Sequence, residues 1–277
     1  MSLTTSVQGW LGSLGPREGS ALTARSHIAA ETSTDVDAIC ATVSPDVFFA
    51  LPVRTRAGHE LRDGSVLVDA DQVRSYYAGR SGSYVVRASS QLKSITTDWY
   101  AFNETAATLL GTGRVGEVDA TGIEWVVRSI VLFPTAPDGI RGEICATRHP
   151  MDDVLRGVAV DGGDEVANGA LLDRLSLALR DGRSVADELA AGHTLAVRLD
   201  DPEPSVRTAA GAEEAARALA ALFEGAEDVT MLVRVATDWY LFAEYLVPLA
   251  HGVRHVALIQ PIEDGRITGT YGYGCRN

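Results

Sequence analysis

The carboxylate of Asp201 and the imidazole of His27 are the side chains of this sequence best suited to proton chemistry. Asp201 precedes Pro202 in the run Asp200-Asp201-Pro202-Glu203-Pro204. A carboxylate at the mouth of an apolar pocket has its pKa raised by desolvation and can take a proton from a carbon next to a carbonyl. The same run, rich in acids and prolines, also reads as an ordinary solvated turn at a strand end. An imidazole exchanges protons near neutral pH, so His27 could donate a hydrogen bond to a substrate oxygen or act as acid or base. Glu31, four residues further along a helix, could pair with it instead.

Other chemistry finds less support. His149, His193, His251 and His255 are scattered, and the one pair spaced by four, His251 and His255, lies in a strand-like context that does not favour a metal site. No metal ion is expected. Cys40, Cys145 and Cys275 are odd in number and show no CxxC spacing, so neither a disulfide framework nor a cysteine zinc site is indicated. Gly111-Thr112-Gly113 and the glycines from Gly269 to Gly274 lack the strand-to-helix setting that a phosphate-binding loop requires, and no nucleotide or other cofactor is expected.

The elements that must position these groups are written in the patterning of 277 residues, 46% of them hydrophobic and 22% charged, which supports sizeable cores and argues against disorder. A net charge of −13 has the wrong sign for neutralising phosphates or anionic lipid, so neither nucleic acid nor a membrane surface is an expected partner. Without a signal-peptide pattern or a long apolar run, a cytoplasmic location is the expectation. The length suits two domains.

An internal repeat divides the chain. Thr97-Asp98-Trp99-Tyr100-Ala101-Phe102-Asn103-Glu104 recurs as Thr237-Asp238-Trp239-Tyr240-Leu241-Phe242-Ala243-Glu244. As a strand, the motif would send Asp98 and Tyr100 to one face and Thr97 and Trp99 to the other. Each copy is followed by a strand-like stretch and then by Asp138-Gly139-Ile140 or Asp264-Gly265-Arg266-Ile267. Upstream, Ala21 to Glu31 and Asp164 to Arg180 read as helices, with Leu171, Leu175, Ala178 and Leu179 on one face. Thr34 and Ser184 read as caps of short second helices. Brief strands then lead to third helices carrying Val73, Tyr76 and Tyr77, or Ala215, Leu219, Leu222 and Phe223. Helices followed by a meander imply an α+β fold with an antiparallel sheet rather than a doubly wound one. The expected organisation is a flexible arm over residues 1–19, one domain over 20–155 and a second over 164–277.

This layout resembles the NTF2-like superfamily, in its SnoaL-like and ketosteroid-isomerase-like branch, with two copies in one chain. The resemblance is carried by Asp35-Val36-Asp37-Ala38-Ile39 through Pro45-Asp46-Val47-Phe48-Phe49, by the helix ending Tyr76-Tyr77, and by the Phe133 to Ile140 turn. It implies a cone-shaped α+β barrel, three helices on a curved sheet around an apolar pocket, with the two halves pairing within the chain as a pseudo-dimer. It also implies a hydrophobic small-molecule ligand and a cofactor-free isomerase, cyclase or dehydratase, or alternatively a non-catalytic binding protein with degenerate pockets. Carrying the isomerase base across places it at Leu51 in the first half and Asp201 in the second. The donor tyrosine falls on His27 and Leu177, and the late-strand acid on Ser129 and, loosely, Ala257. The resulting candidates are His27 and Asp201 as catalytic groups, with Tyr77 and Ser129 against the substrate.

Overall fold

The computed structural model describes residues 15–158, 162–200, 203–226 and 228–276. Two compact units account for them. The first comprises the described residues up to Phe49 together with Leu67–Ile144, and the second comprises Ala50–Val66 with the described residues from Cys145 onward.

In the first unit, helix α1 (Pro16–Thr32) opens with proline at its first turn, where the missing N–H costs nothing, and with Glu18 facing the positive end of the helix dipole. A short α2 (Val36–Cys40) follows. Its cap is Asp35, whose side chain accepts from the amides of Asp37 and Ala38 at 2.9 and 3.2 Å, rather than the expected Thr34, whose φ of 60° takes the chain through a left-handed turn. Next in the chain are short strands, β1 (Phe49–Ala50), then β2 (Val53–Thr55) and β3 (Gly58–Glu60), which fall in the second unit, and β4 (Val66–Leu67). Helix α3 (Ala70–Ser83), capped by Asp69, leads into the long strands β5 (Tyr84–Thr96) and β6 (Tyr100–Gly111). After the small hairpin β7 (Arg114–Val115) and β8 (Val118–Asp119) come β9 (Glu124–Ala136), β10 (Gly139–Ile140) and β11 (Ile144–Thr147). The sheet runs β4-β1-β11-β9-β6-β5, with β10 on β9.

In the second unit, helix α4 (Met151–Leu155) precedes α5 (Glu165–Arg180), which is capped by Asp164. The expected stripe Leu171, Leu175, Ala178 and Leu179 is buried in one cluster with Leu219 of α6 (Ala212–Ala220). Each buried leucine contributes about 1.5–3 kcal/mol of apolar transfer. Between them lie one 3-10 turn (Ala186–Glu188), where a second short α-helix was expected, and strands β12 (Leu189–Asp200) and β13 (Pro204–Ala210). Strands β14 (Thr230–Ala236), β15 (Tyr240–Leu249), β16 (Gly252–Glu263) and β17 (Arg266–Arg276) complete a sheet of order β13-β12-β17-β16-β15-β14. It is mixed rather than wholly antiparallel, because β12 and β17 pair in parallel. The hairpin β2–β3 belongs to this unit: Arg54 Nη2 meets Glu263 Oε1 at 2.8 Å, and Thr194 Oγ1 donates to the His59 carbonyl at 3.0 Å.

The repeated octapeptides build the same corner twice. Thr97 N donates to the Tyr100 carbonyl at 2.9 Å and Thr237 N to the Tyr240 carbonyl at 3.0 Å. Each threonine hydroxyl oxygen accepts from the tyrosine amide, at 3.2 and 3.1 Å. The strand begins only at the tyrosine, so Thr97 to Trp99 form a turn and not the alternating strand the sequence suggested. Local hydrogen bonding of the tyrosine amide to the threonine hydroxyl three residues back overrides the β propensity there.

Candidate functional site

A buried polar quartet occupies the interior of the first unit. Its central member is His27, on the inner face of α1 and 0% exposed, not the half-exposed neighbour of Glu31 that the helix spacing alone would allow. Ring contacts hold the imidazole: Phe133 of β9 lies edge-on at 5.7 Å and Tyr77 at 6.1 Å between centroids. Nε2 of His27 is 3.1 Å from the Tyr77 hydroxyl, which in turn lies 2.8 Å from Glu143 Oε2. Nδ1 of His27 lies 2.7 Å from Thr42 Oγ1.

Glu143 reaches this place because of the backbone around it. Ile140 N donates to the Thr42 carbonyl at 3.0 Å and Ser44 N to the Ile140 carbonyl at 2.8 Å, so the segment after α2 is clipped to β10. Gly142, next in line, passes so close to the Phe48 carbonyl that an added Cβ would stand 1.8 Å from its oxygen. Only glycine allows the approach that turns Glu143 inward.

Glu31, one turn after His27 on α1, pairs with Arg80 of α3, and Arg80 also lies over the Tyr77 ring at 4.6 Å. Donor atoms of His27, Glu31 and Glu143 all lie within 4.8 Å of one another. The two carboxylates are driven in opposite directions. Burial, then the charge of Glu143, raises Glu31 above the usual carboxylate range against the pull of Arg80 and His27. Glu143 suffers the same burial, but His27, Arg80 and the Tyr77 hydroxyl outweigh it and hold its carboxyl low. The Tyr77 hydroxyl is raised well above its ordinary value by burial and by both acids, so it acts as a neutral donor or acceptor. The side chains of Glu143, Arg80 and Glu31 are 8%, 10% and 14% exposed, whereas that of His27 is 0%.

The quartet brings together two of the four candidates, His27 and Tyr77. Ser129 lies on β9 with the same facing as Phe133, about 13 Å along the strand. Its hydroxyl meets Thr105 Oγ1 at 2.9 Å. Asp201 lies outside the described residues. Glu143, Arg80 and Thr42 were not singled out from the sequence. The sequence marks Glu143 only by its place, an acid directly after a glycine and three residues beyond Asp138-Gly139-Ile140, which does not assign its facing.

The second unit differs at the matching positions. Thr135 N donates to the Trp99 carbonyl as Ile262 N does to that of Trp239, at 2.9 and 2.8 Å, which aligns Ile140 with Ile267 and Glu143 with Thr270. Thr270 Oγ1 accepts from Gln260 Nε2 at 3.1 Å. Tyr245, aligned with Thr105, fills the interior, with its hydroxyl 3.0 Å from Ser176 and its ring edge-on to Phe223. The helix-facing interior here is otherwise an apolar cluster.

No family model and no curated protein matches the chain. Among solved structures, it is similar to a candidate polyketide cyclase from Xanthomonas campestris, at 17% identity over 47% of this chain and 91% of that one, with a TM-score of 0.38. It is also similar to a protein of ketosteroid isomerase-like fold from Catenulispora acidiphila in complex with trimethylamine (14% identity, 50% and 93% covered, TM-score 0.37). An NTF2-like protein from Burkholderia xenovorans gives 9% identity, 49% and 94% covered, and a TM-score of 0.36. Each likeness spans about half of this chain. Among the described residues, no helix is long and apolar enough to cross a membrane.

Proposed function

We propose that the first unit is a cofactor-free acid–base catalyst that moves a proton on a hydrophobic carbonyl compound, in an isomerisation, cyclisation or dehydration. The observation that carries this reading is the pair of inward carboxylates, Glu31 and Glu143, gathered with His27 within 4.8 Å and pushed apart in proton affinity. Two titratable groups separated in this way supply an acid and a base at one pH. Glu143, its carboxyl held low and at the edge of the quartet, takes the proton from carbon. Glu31, its carboxyl raised by burial and by Glu143, returns one to oxygen. His27 and Tyr77 stand behind Glu143. The second unit, with Thr270 in place of the acid and Tyr245 filling its interior, serves as scaffold.

Proton abstraction is readable without knowing the product. In D2O, a panel of apolar enones and 1,3-diketones should gain deuterium next to the carbonyl when the protein is present. Glu143→Gln should slow that exchange by about 10²-fold or more, the scale of general-base catalysis. Binding of a panel compound with no exchange above buffer would overturn the acid–base reading in favour of a binding protein.

A further inference from the structure

The hydrogen atoms around His27 are fixed by the fourth member of the quartet, Thr42. Thr42 follows α2, and its hydroxyl donates to the Ile39 carbonyl at 2.6 Å, one turn back. A carbonyl oxygen cannot donate, so the single Thr42 proton is committed there. Thr42 Oγ1 also lies 2.7 Å from His27 Nδ1, a separation that requires a hydrogen between them. That hydrogen must belong to Nδ1. We propose that Thr42 is a positioning residue that locks the proton of His27 onto Nδ1, so that Nε2, Tyr77 and Glu143 form a proton relay.

With Nδ1 protonated, the contacts Nε2 to Tyr77 at 3.1 Å and Tyr77 to Glu143 at 2.8 Å admit two complete arrangements. In one, neutral His27 accepts from the Tyr77 hydroxyl while the protonated carboxyl of Glu143 donates to the tyrosine oxygen. In the other, Nε2–H donates to that oxygen and the hydroxyl donates to a carboxylate. Passing between them moves the Glu143 proton to Tyr77 Oη and the Tyr77 proton to Nε2. Tyrosine stays neutral, no heavy atom shifts, and one positive charge appears on His27 as one negative charge reappears on Glu143. A proton taken up at Glu143 is thereby stored on His27 and the base restored. Were the neutral ring protonated on Nε2 instead, no lone pair would face Tyr77 and the relay would be closed.

As a statement about catalysis this rests on the acid–base reading; as a statement about where the proton sits it does not. The full-length protein labelled with 15N-histidine, with the His27 signal identified by its loss in His27→Asn, reports the protonation of each ring nitrogen in long-range 1H–15N spectra. At pH 7 Nδ1 should be of the protonated type. Thr42→Val should move the proton to Nε2 and slow deuterium exchange into the enones and 1,3-diketones about tenfold or more without weakening their binding, and Thr42→Ser should restore both the tautomer and the rate. An unprotonated Nδ1 in the unsubstituted protein overturns the lock, and that measurement needs no variant to fold. So does an unchanged tautomer in Thr42→Val. If the spectra come out as expected while Glu143→Gln exchanges deuterium at the full rate, the lock stands and the acid–base reading falls.

Discussion

His59 and His193, neither of them in the quartet, tie the second unit to pH. His59 is buried, with Nε2 donating to the Thr147 carbonyl at 3.1 Å. Burial, followed by the charge of Arg54, pulls its pKa down to about 3. His193 donates from Nδ1 to the Ile267 carbonyl at 2.8 Å, and burial lowers it to about 4. Both are neutral in the fold, while in the unfolded chain they take up protons below the ordinary histidine value of 6.5. Between there and pH 4 the unfolded state therefore binds more protons, so stability falls as pH falls, by about 1.4 kcal/mol per pH unit for each histidine. Urea midpoints of the second unit should drop between pH 6.5 and pH 5 by the equivalent of about 2–4 kcal/mol. Replacing both with asparagine should flatten that dependence. At this scale the inward facing of Tyr77 follows from the apolar pattern of its helix, whereas His27 was singled out only through the family resemblance, since helical spacing alone left it half-exposed beside Glu31. Glu143 was not. It stands in an irregular stretch between Ile140 and Ile144, where no period assigns a facing and the close approach at Gly142 decides it.

Among the elements, the corner that opens β6 and β15 explains why one octapeptide occurs twice. A strand start leaves the tyrosine and tryptophan amides pointing into the protein, and the threonine oxygen answers both. At the second corner Thr237 is buried, so its removal leaves N–H groups without a partner at a site water does not reach. Thr237→Val should cost about 1–3 kcal/mol, read from urea unfolding, and Thr237→Ser should recover most of it. The repeat was plain in the sequence, as were the long helices and their inner stripes. Its role as a turn was not, because threonine, tryptophan and tyrosine all favour strands locally. The cap at Asp35 was missed for a related reason: Thr34 and Asp35 both suit that position by type, and the left-handed φ at Thr34 that settles the matter leaves no trace in residue identity.

Over the whole molecule, the segment Ala50–Val66 departs from its neighbours in the chain and joins the second unit. Its hold there is polar and specific: Arg54 to Glu263, Arg56 to Asp153 at 2.6 Å, and His59 Nδ1 to Thr268 at 3.1 Å. Exchanging Val53–Glu60 for a Gly/Ser linker of equal length should weaken the second unit while leaving the first intact. Hydrogen exchange would show protection lost in β12 and β17 and kept in β6 and β9. Equal protection in all four strands would mean that the segment is a passenger.

The same crossing sets an order of events during synthesis. His59 and Thr268 are separated by 209 positions. At a ribosomal rate of roughly 5–20 residues per second, the hairpin leaves the tunnel about 10–40 s before its partner strand exists. A lone two-stranded hairpin is marginal in water, so it stays unfolded for that interval. During that interval the first unit receives α3 and the strands that follow it. Birth of the second unit is thus completed backwards, with β17 capturing a segment made 209 positions before it.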